Sequence, residues 1–120
     1  MTRAARRRAW RLGHWAETVC VGDLALRGYR VLARRVRYPV GEIDIVARRG
    51  GVLAIIEVKA RPSLAEAAES ISPRQQQRIR RAAEAFLGTH PGLGGLTVRF
   101  DAMLLVPGRW PVHVADAWRA

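Results

Sequence analysis

A chain of 120 residues, 49% of them apolar, holds enough material for one core and one domain and too much for a disordered tail. Its 21 basic residues against 10 acidic ones leave a formal charge of +11, a surplus that opposes compaction and suits a polyanionic partner, of which nucleic acid is the commonest. No apolar run is long enough to cross a bilayer or serve as a signal segment. No basic amphipathic helix with an aromatic face offers itself to a membrane surface, so the expected location is the cytoplasm. The single cysteine, Cys20, allows neither an internal disulfide nor a cysteine metal cluster and reads as a small buried apolar side chain.

Residues 1–8 form a basic, flexible N-terminus, and residues 9–120 form the domain. A helix is expected from about Trp10 to Leu26, with Trp15, Val19, Ala25 and Leu26 on its apolar face and Gly28 as its C-terminal stop. Tyr29–Val36 reads as a short strand. Glu42–Ala47 and Val52–Val58 read as two strands joined at Gly50-Gly51. Ser72 caps a second helix, with Pro73 at its first position. Ile79, Ala82, Ala83, Phe86 and Leu87 form its apolar stripe, and Gly88 ends it. Leu96–Val106 and Val112–Ala115 complete the order α-β-β-β-α-β-β. This is an α/β (α+β) domain with a central mixed β-sheet flanked by helices.

The two strands around Gly50-Gly51 carry the chemistry. A two-residue turn there pairs residue i with residue 101 − i, so Asp44 faces Glu57 and Glu42 faces Lys59. All four then project from one face, while Ile43, Ile45, Ile56 and Val58 line the other. Opposed Cβ atoms in an antiparallel pair lie about 4.5–5.5 Å apart, so the two carboxylates repel unless a proton, a cationic side chain or a metal ion neutralises them. Hard oxygen ligands suit Mg²⁺ or Mn²⁺. Lys59, the one lysine among these basic residues, can hold a phosphate, orient a water or stabilise charge in a transition state. A solvated polar sheet face with ordinary Glu–Lys pairing is the plain structural alternative. On the second helix, Gln76 sits one turn before Ile79 and Ala83 and needs partners for its amide, at the site or from nearby backbone.

Gly-Glu-Ile-Asp-Ile-Val followed by Glu-Val-Lys-Ala-Arg resembles the YraN-like family of small bacterial proteins. That family is similar to archaeal Holliday-junction resolvases and shares the PD-(D/E)XK, restriction-endonuclease-like fold. The resemblance spans nearly the whole chain: Gly13, Ala16 and Glu17 in the first helix, Gly28-Tyr29, Gly41–Asp44, Glu57–Lys59 with Arg61, Gln76 in the second helix, and Arg99-Phe100-Asp101. It implies a restriction-endonuclease-like core. It also implies Asp44 and Glu57 as metal ligands, a backbone carbonyl from Val58, Lys59 as the catalytic lysine, Glu17 as a further ligand or base, and Gln76 completing the site. Gln75 stands where the family usually has lysine, and Arg35 where it often has asparagine.

The resemblance implies metal-dependent cleavage of branched or structured DNA, and a homodimer that would place two sites on two strands. Arg34, Arg35, Arg37, Arg61 and Arg74, with Arg3, Arg6, Arg7, Arg8 and Arg11 at the start of the chain, are the expected nucleic-acid contacts. The alternatives are a non-catalytic nucleic-acid-binding protein and a module that meets an acidic protein. Clustered acids favour the nuclease, since without a metal they would repel DNA. Arg99 and Asp101 read as a strand-end ion pair, and His14, His90 and His113 as surface or packing residues.

Overall fold

The computed structural model describes residues 2–119, with side chains for residues 2–4 and 14–119. In chain order the elements are α1 (Arg3–Leu26), β1 (Arg30–Tyr38), β2 (Gly41–Arg49), β3 (Val52–Ala60), α2 (Leu64–Glu69), α3 (Pro73–Thr89), a 3₁₀ turn at Pro91–Leu93, β4 (Thr97–Leu105) and β5 (Val112–Trp118). The strands form one mixed sheet in sequence order, antiparallel except where β3 and β4 run parallel. A parallel pair needs a long crossover, and α2 and α3 supply it.

That crossover covers one face of the sheet, and α1 covers the other. Ala67 of α2 and Ile79, Ala82, Ala83 and Phe86 of α3 pack with Ile43, Val46, Leu53 and Ile55. Ala16, Cys20 and Leu24 of α1 pack with Ile45, Ala47, Ala54, Ile56 and Met103 on the opposite side. Burial on both faces explains why Leu53–Ile56 is an unbroken apolar run instead of an alternating one.

Several sequence expectations change here. α1 begins at Arg3 instead of near Trp10. Its buried face is Ala16, Cys20 and Leu24, while Trp15 and Leu26 are exposed. Small residues spaced four apart let the helix lie close on an already apolar sheet, and the bulky pair is left outside. Ile43 packs toward α3, away from Ile45, Ile56 and Val58. A short helix, α2, was not expected; Ser63 caps it by accepting from the Glu66 N–H. α3 runs through Gly88 to Thr89, where Thr89 and His90 bond the last-turn carbonyls. Ser72 does cap α3 and Pro73 does open it. Gly28 takes a left-handed φ of 85° just after α1, which favours glycine.

Gly41 fixes where α3 sits. A Cβ at this position would collide with the carbonyl oxygen of Arg78. The α3 backbone therefore presses directly on the start of β2, and only a residue without a side chain permits that approach.

Candidate metal and phosphate site

β2 and β3 pair in the expected register from Arg49–Val52 to Ile45–Ile56, and the ladder stops there. β2 stays paired with β1 down to Gly41. The fork between β2 and β3 thus opens at Asp44 and Glu57, and α3 lies against it. The Val58 N–H donates to Asp44 Oδ2 at 2.7 Å, so a carboxylate takes the place of a strand partner. Glu57 is 6% exposed. Its Oε1 accepts from Lys59 Nζ at 3.2 Å and from Gln75 Nε2 at 3.0 Å. The Asp44 and Glu57 carboxyls lie close enough for the Asp44 charge to act directly on Glu57.

Their electrostatics follow from that geometry. Burial, then the Asp44 charge, pushes the Glu57 carboxyl up to about 8, with the Lys59 ammonium pulling the other way. Burial raises Asp44 as well, against the Val58 N–H and Lys59. Burial and the repulsion between the two carboxylates therefore both favour a proton on the pair. Two buried carboxylates that hold a proton this strongly are a donor set in which a hard divalent cation can take the proton's place. Among the described residues no three His, Cys, Asp or Glu side chains gather as a metal-holding group, so such an ion would rest on this pair and on backbone or water oxygens.

A cleft of about 370 Å³ opens over the pair, lined by Glu42, Asp44, Glu57, Arg74, Gln75 and Arg78. Glu42, Asp44 and Glu57 thus line one cleft. Lys59 bonds Glu57 but is not among the lining residues, and Glu42 faces Arg37 instead of Lys59 because the β2–β3 ladder ends at Ile45–Ile56. Arg74 and Arg78 stand one turn apart on α3 and face acids across the cleft, which suits phosphate recognition. Arg78 escaped the sequence reading, although its spacing from Arg74 and Gln75 puts it on the same helix face.

Two expected site residues lie elsewhere. Gln76 does not line this cleft; its Nε2 donates to the Ile71 carbonyl at 3.3 Å, and Gln75 occupies the position expected of it. Both glutamines adjoin Ile79 on the helix surface, and the roll of α3 selects the first. Glu17 is buried, but each of its oxygens is taken by an arginine: Oε1 by Arg34 Nε and Oε2 by Arg35 Nε, both at 2.9 Å. Its charge still raises the Asp44 carboxyl. Neighbouring side chains on a strand normally point to opposite faces. Here Arg35 has a left-handed φ of 50°, and the alternation breaks so that both arginines reach one glutamate.

The remaining expected nucleic-acid contacts are dispersed. Arg37 faces exposed Glu42 at 3.8 Å, and Arg61 bonds the Ala60 carbonyl. The side chains of Arg6, Arg7, Arg8 and Arg11 lie outside the described residues.

Asp101 belongs to a different assembly, on the α1 side of the sheet. It is fully buried, receives two bonds from Arg99 at 2.8 Å, one from His113 at 2.7 Å and one from the Asp116 N–H at 3.0 Å. Burial alone would raise its carboxyl, but these bonds outweigh burial and hold it low. Arg99 also reaches the Tyr29 hydroxyl, and Arg27 links His113 to Asp23. Arg27 can only donate, so His113 Nδ1 accepts and its Nε2–H serves Asp101. This network ties α1, β4 and β5 together and is larger than the isolated ion pair expected from the sequence.

A family model described as "Uncharacterised protein family UPF0102" matches residues 16–105. The chain belongs to the UPF0102 family. Similar UPF0102 proteins come from Parvibaculum lavamentivorans, 57% identical over 92% of this chain and 84% of that one, and from Maricaulis maris, 52% identical over 98% and 92%. Another from Chelativorans sp. is 48% identical over 98% and 95%. The UPF0102 match takes in Glu17, Asp44, Glu57, Lys59, Gln75 and Arg78, and it ends before His113 and Trp118.

Proposed function

We propose that this protein is a metal-dependent nuclease that hydrolyses phosphodiesters in branched or otherwise structured DNA. One observation carries the reading: two buried carboxylates, Asp44 and Glu57, meet at a strand fork and line a cleft with Arg74 and Arg78, while the Lys59 ammonium lies 3.2 Å from Glu57 Oε1. Asp44, Glu57 and the Val58 carbonyl would hold Mg²⁺ or Mn²⁺, which supplies Lewis acidity at the scissile phosphate. Lys59 is held in place by Glu57 and can orient the attacking water or stabilise the charge that develops on the phosphate oxygens. Gln75 fixes the Glu57 carboxylate by its own hydrogen bond. Arg74 and Arg78 bring the phosphate to the acids, which would otherwise repel it.

The reading is tested by cleavage of linear, flap and four-way-junction DNA with Mg²⁺, Mn²⁺ or chelator, beside a Lys59→Ala control. Cleavage that needs the metal and Lys59 supports it; binding without any cleavage refutes it. Sedimentation with and without DNA tests the homodimer that would set one site on each of two strands.

The second reading is non-catalytic binding of nucleic acid. It draws support from Glu17, whose two oxygens are taken by Arg34 and Arg35, which leaves the two-carboxylate pair as the acidic set. In either case no helix among the described residues is long and apolar enough to cross a membrane.

A further inference from the structure

Among the described residues, two buried side-chain polar atoms lack a hydrogen-bond partner: Arg80 Nε and Trp118 Nε1. Both are N–H donors, and both residues line one cleft of about 260 Å³ at the start of α3. A buried N–H without an acceptor is costly, so two at one place suggest an acceptor that arrives from outside. The cleft has no acidic side chain among its lining residues; Pro73, Arg74, Gln76, Gln77 and Arg119 complete it. The remaining Arg80 nitrogens are engaged, Nη1 by Glu84 and Nη2 by Gln77, which holds the guanidinium in place and leaves its Nε unused. Trp118 is 9% exposed and stacked on Phe100, so its indole is equally fixed.

We propose that this cleft is a phosphate subsite, holding a backbone phosphate of a nucleic-acid strand against Arg80 Nε–H, Trp118 Nε1–H and Arg74. Arg80 and Arg119 already pair with Glu84 and Asp116, so two buried donors and the Arg74 charge are what select an oxyanion over a neutral acceptor. Neither N–H touches solvent in the free protein. Gln77 and Arg119 beside them are exposed, and it is these two side chains that a ligand would have to displace to reach the donors. Arg74 lines both this cleft and the one over Asp44 and Glu57. A strand whose scissile phosphate lies at the carboxylates would thus place a neighbouring phosphate here. The assignment to a nucleic-acid strand rests on the function proposed above, whereas the oxyanion site itself does not depend on cleavage.

The test is made with the full chain in chelator, so that catalysis plays no part. The Trp118 indole N–H resonance, identified by its loss in Trp118→Phe, is followed while inorganic phosphate is added at constant ionic strength. Fluorescence anisotropy then follows binding of a labelled four-way-junction DNA to the parent, Trp118→Phe, Arg80→Gln and Asp44→Asn. The indole N–H should move downfield with phosphate and with DNA. Trp118→Phe and Arg80→Gln should each weaken DNA binding roughly tenfold, and Arg80→Gln should lower the salt slope by about one. Trp118→Phe should melt no lower than the parent, since it removes an unpartnered donor and keeps the ring; a purely structural role for the indole predicts the opposite. Asp44→Asn should retain the phosphate response, which separates this site from the nuclease reading. An indole resonance that ignores phosphate, or moves equally with chloride, overturns the subsite. A response to phosphate with DNA affinity unchanged in both variants overturns its assignment to a nucleic-acid strand.

Discussion

Replacing Glu57 with glutamine should turn a pH-dependent protein into a pH-indifferent one over a defined window. Burial and the Asp44 charge raise the Glu57 carboxyl from its ordinary 4.5 to about 8. The folded state therefore holds a proton that the unfolded chain has already released, and stability falls as pH rises from about 4.5 to about 8. At roughly 1.4 kcal/mol per pH unit the upper bound on that loss is about 5 kcal/mol, and coupling to Asp44 brings the expected figure to about 2–4 kcal/mol. Glu57→Gln mimics the protonated acid: it is neutral, can donate to Asp44 and can still accept from Gln75 and Lys59. Urea unfolding in chelator at pH 5 and pH 8 measures both proteins. At pH 5 they should agree to within about 1 kcal/mol; at pH 8 the variant should be the more stable by about 2–4 kcal/mol. The histidines and the basic surface are common to both proteins and cancel in the difference. Added Mg²⁺ should restore the parent at pH 8, because a bound ion relieves the same repulsion, and should do little for the variant. Parallel pH curves for the two proteins would refute the proton on the pair and with it the electrostatic case for a metal.

Lys59→Ala should bind Mn²⁺ as tightly as the parent or more tightly by calorimetry, while losing any cleavage. Lys59→Arg should not fully restore it, since a guanidinium differs in shape and does not release its proton. Gly41→Ala should destabilise by about 1–3 kcal/mol in urea, because its Cβ meets the Arg78 carbonyl and α3 must move off β2. Asp101→Asn should cost about 3–5 kcal/mol, as it leaves Arg99 and His113 facing a neutral amide in a buried network; a melting temperature equal to the parent's would contradict that role. Arg74→Glu should weaken DNA binding at all sequences alike and flatten its salt dependence, measured by anisotropy between low and moderate salt.

Several parts of this protein are local matters, settled by residues near one another in the chain. Gly50-Gly51 pins the β2–β3 register down to Ile45–Ile56, which brings Asp44 and Glu57 to the end of the ladder together. Ser72-Pro73 starts α3, and its apolar stripe marks the buried side. The α2 helix was also legible in principle, since Ser63 and Glu66 have capping-box spacing, but six residues carry too little periodicity to stand out. Other features depend on how layers meet. Gln75 and Gln76 both adjoin Ile79 on α3, and the choice between them follows from the close approach of Arg78 to Gly41. Ala16 instead of Trp15 is buried because α1 lies on a sheet already covered on its far side. Glu17 is claimed by Arg34 and Arg35 only because the backbone turns left-handed at Arg35. Asp101, His113 and Arg27 meet across α1, β4 and β5, far apart in the chain. Side-chain direction along a strand or helix repeats with a known period, so it can be read from spacing. The roll and height of one element over another are set by packing volumes summed across the core, and no local stretch of sequence contains that sum.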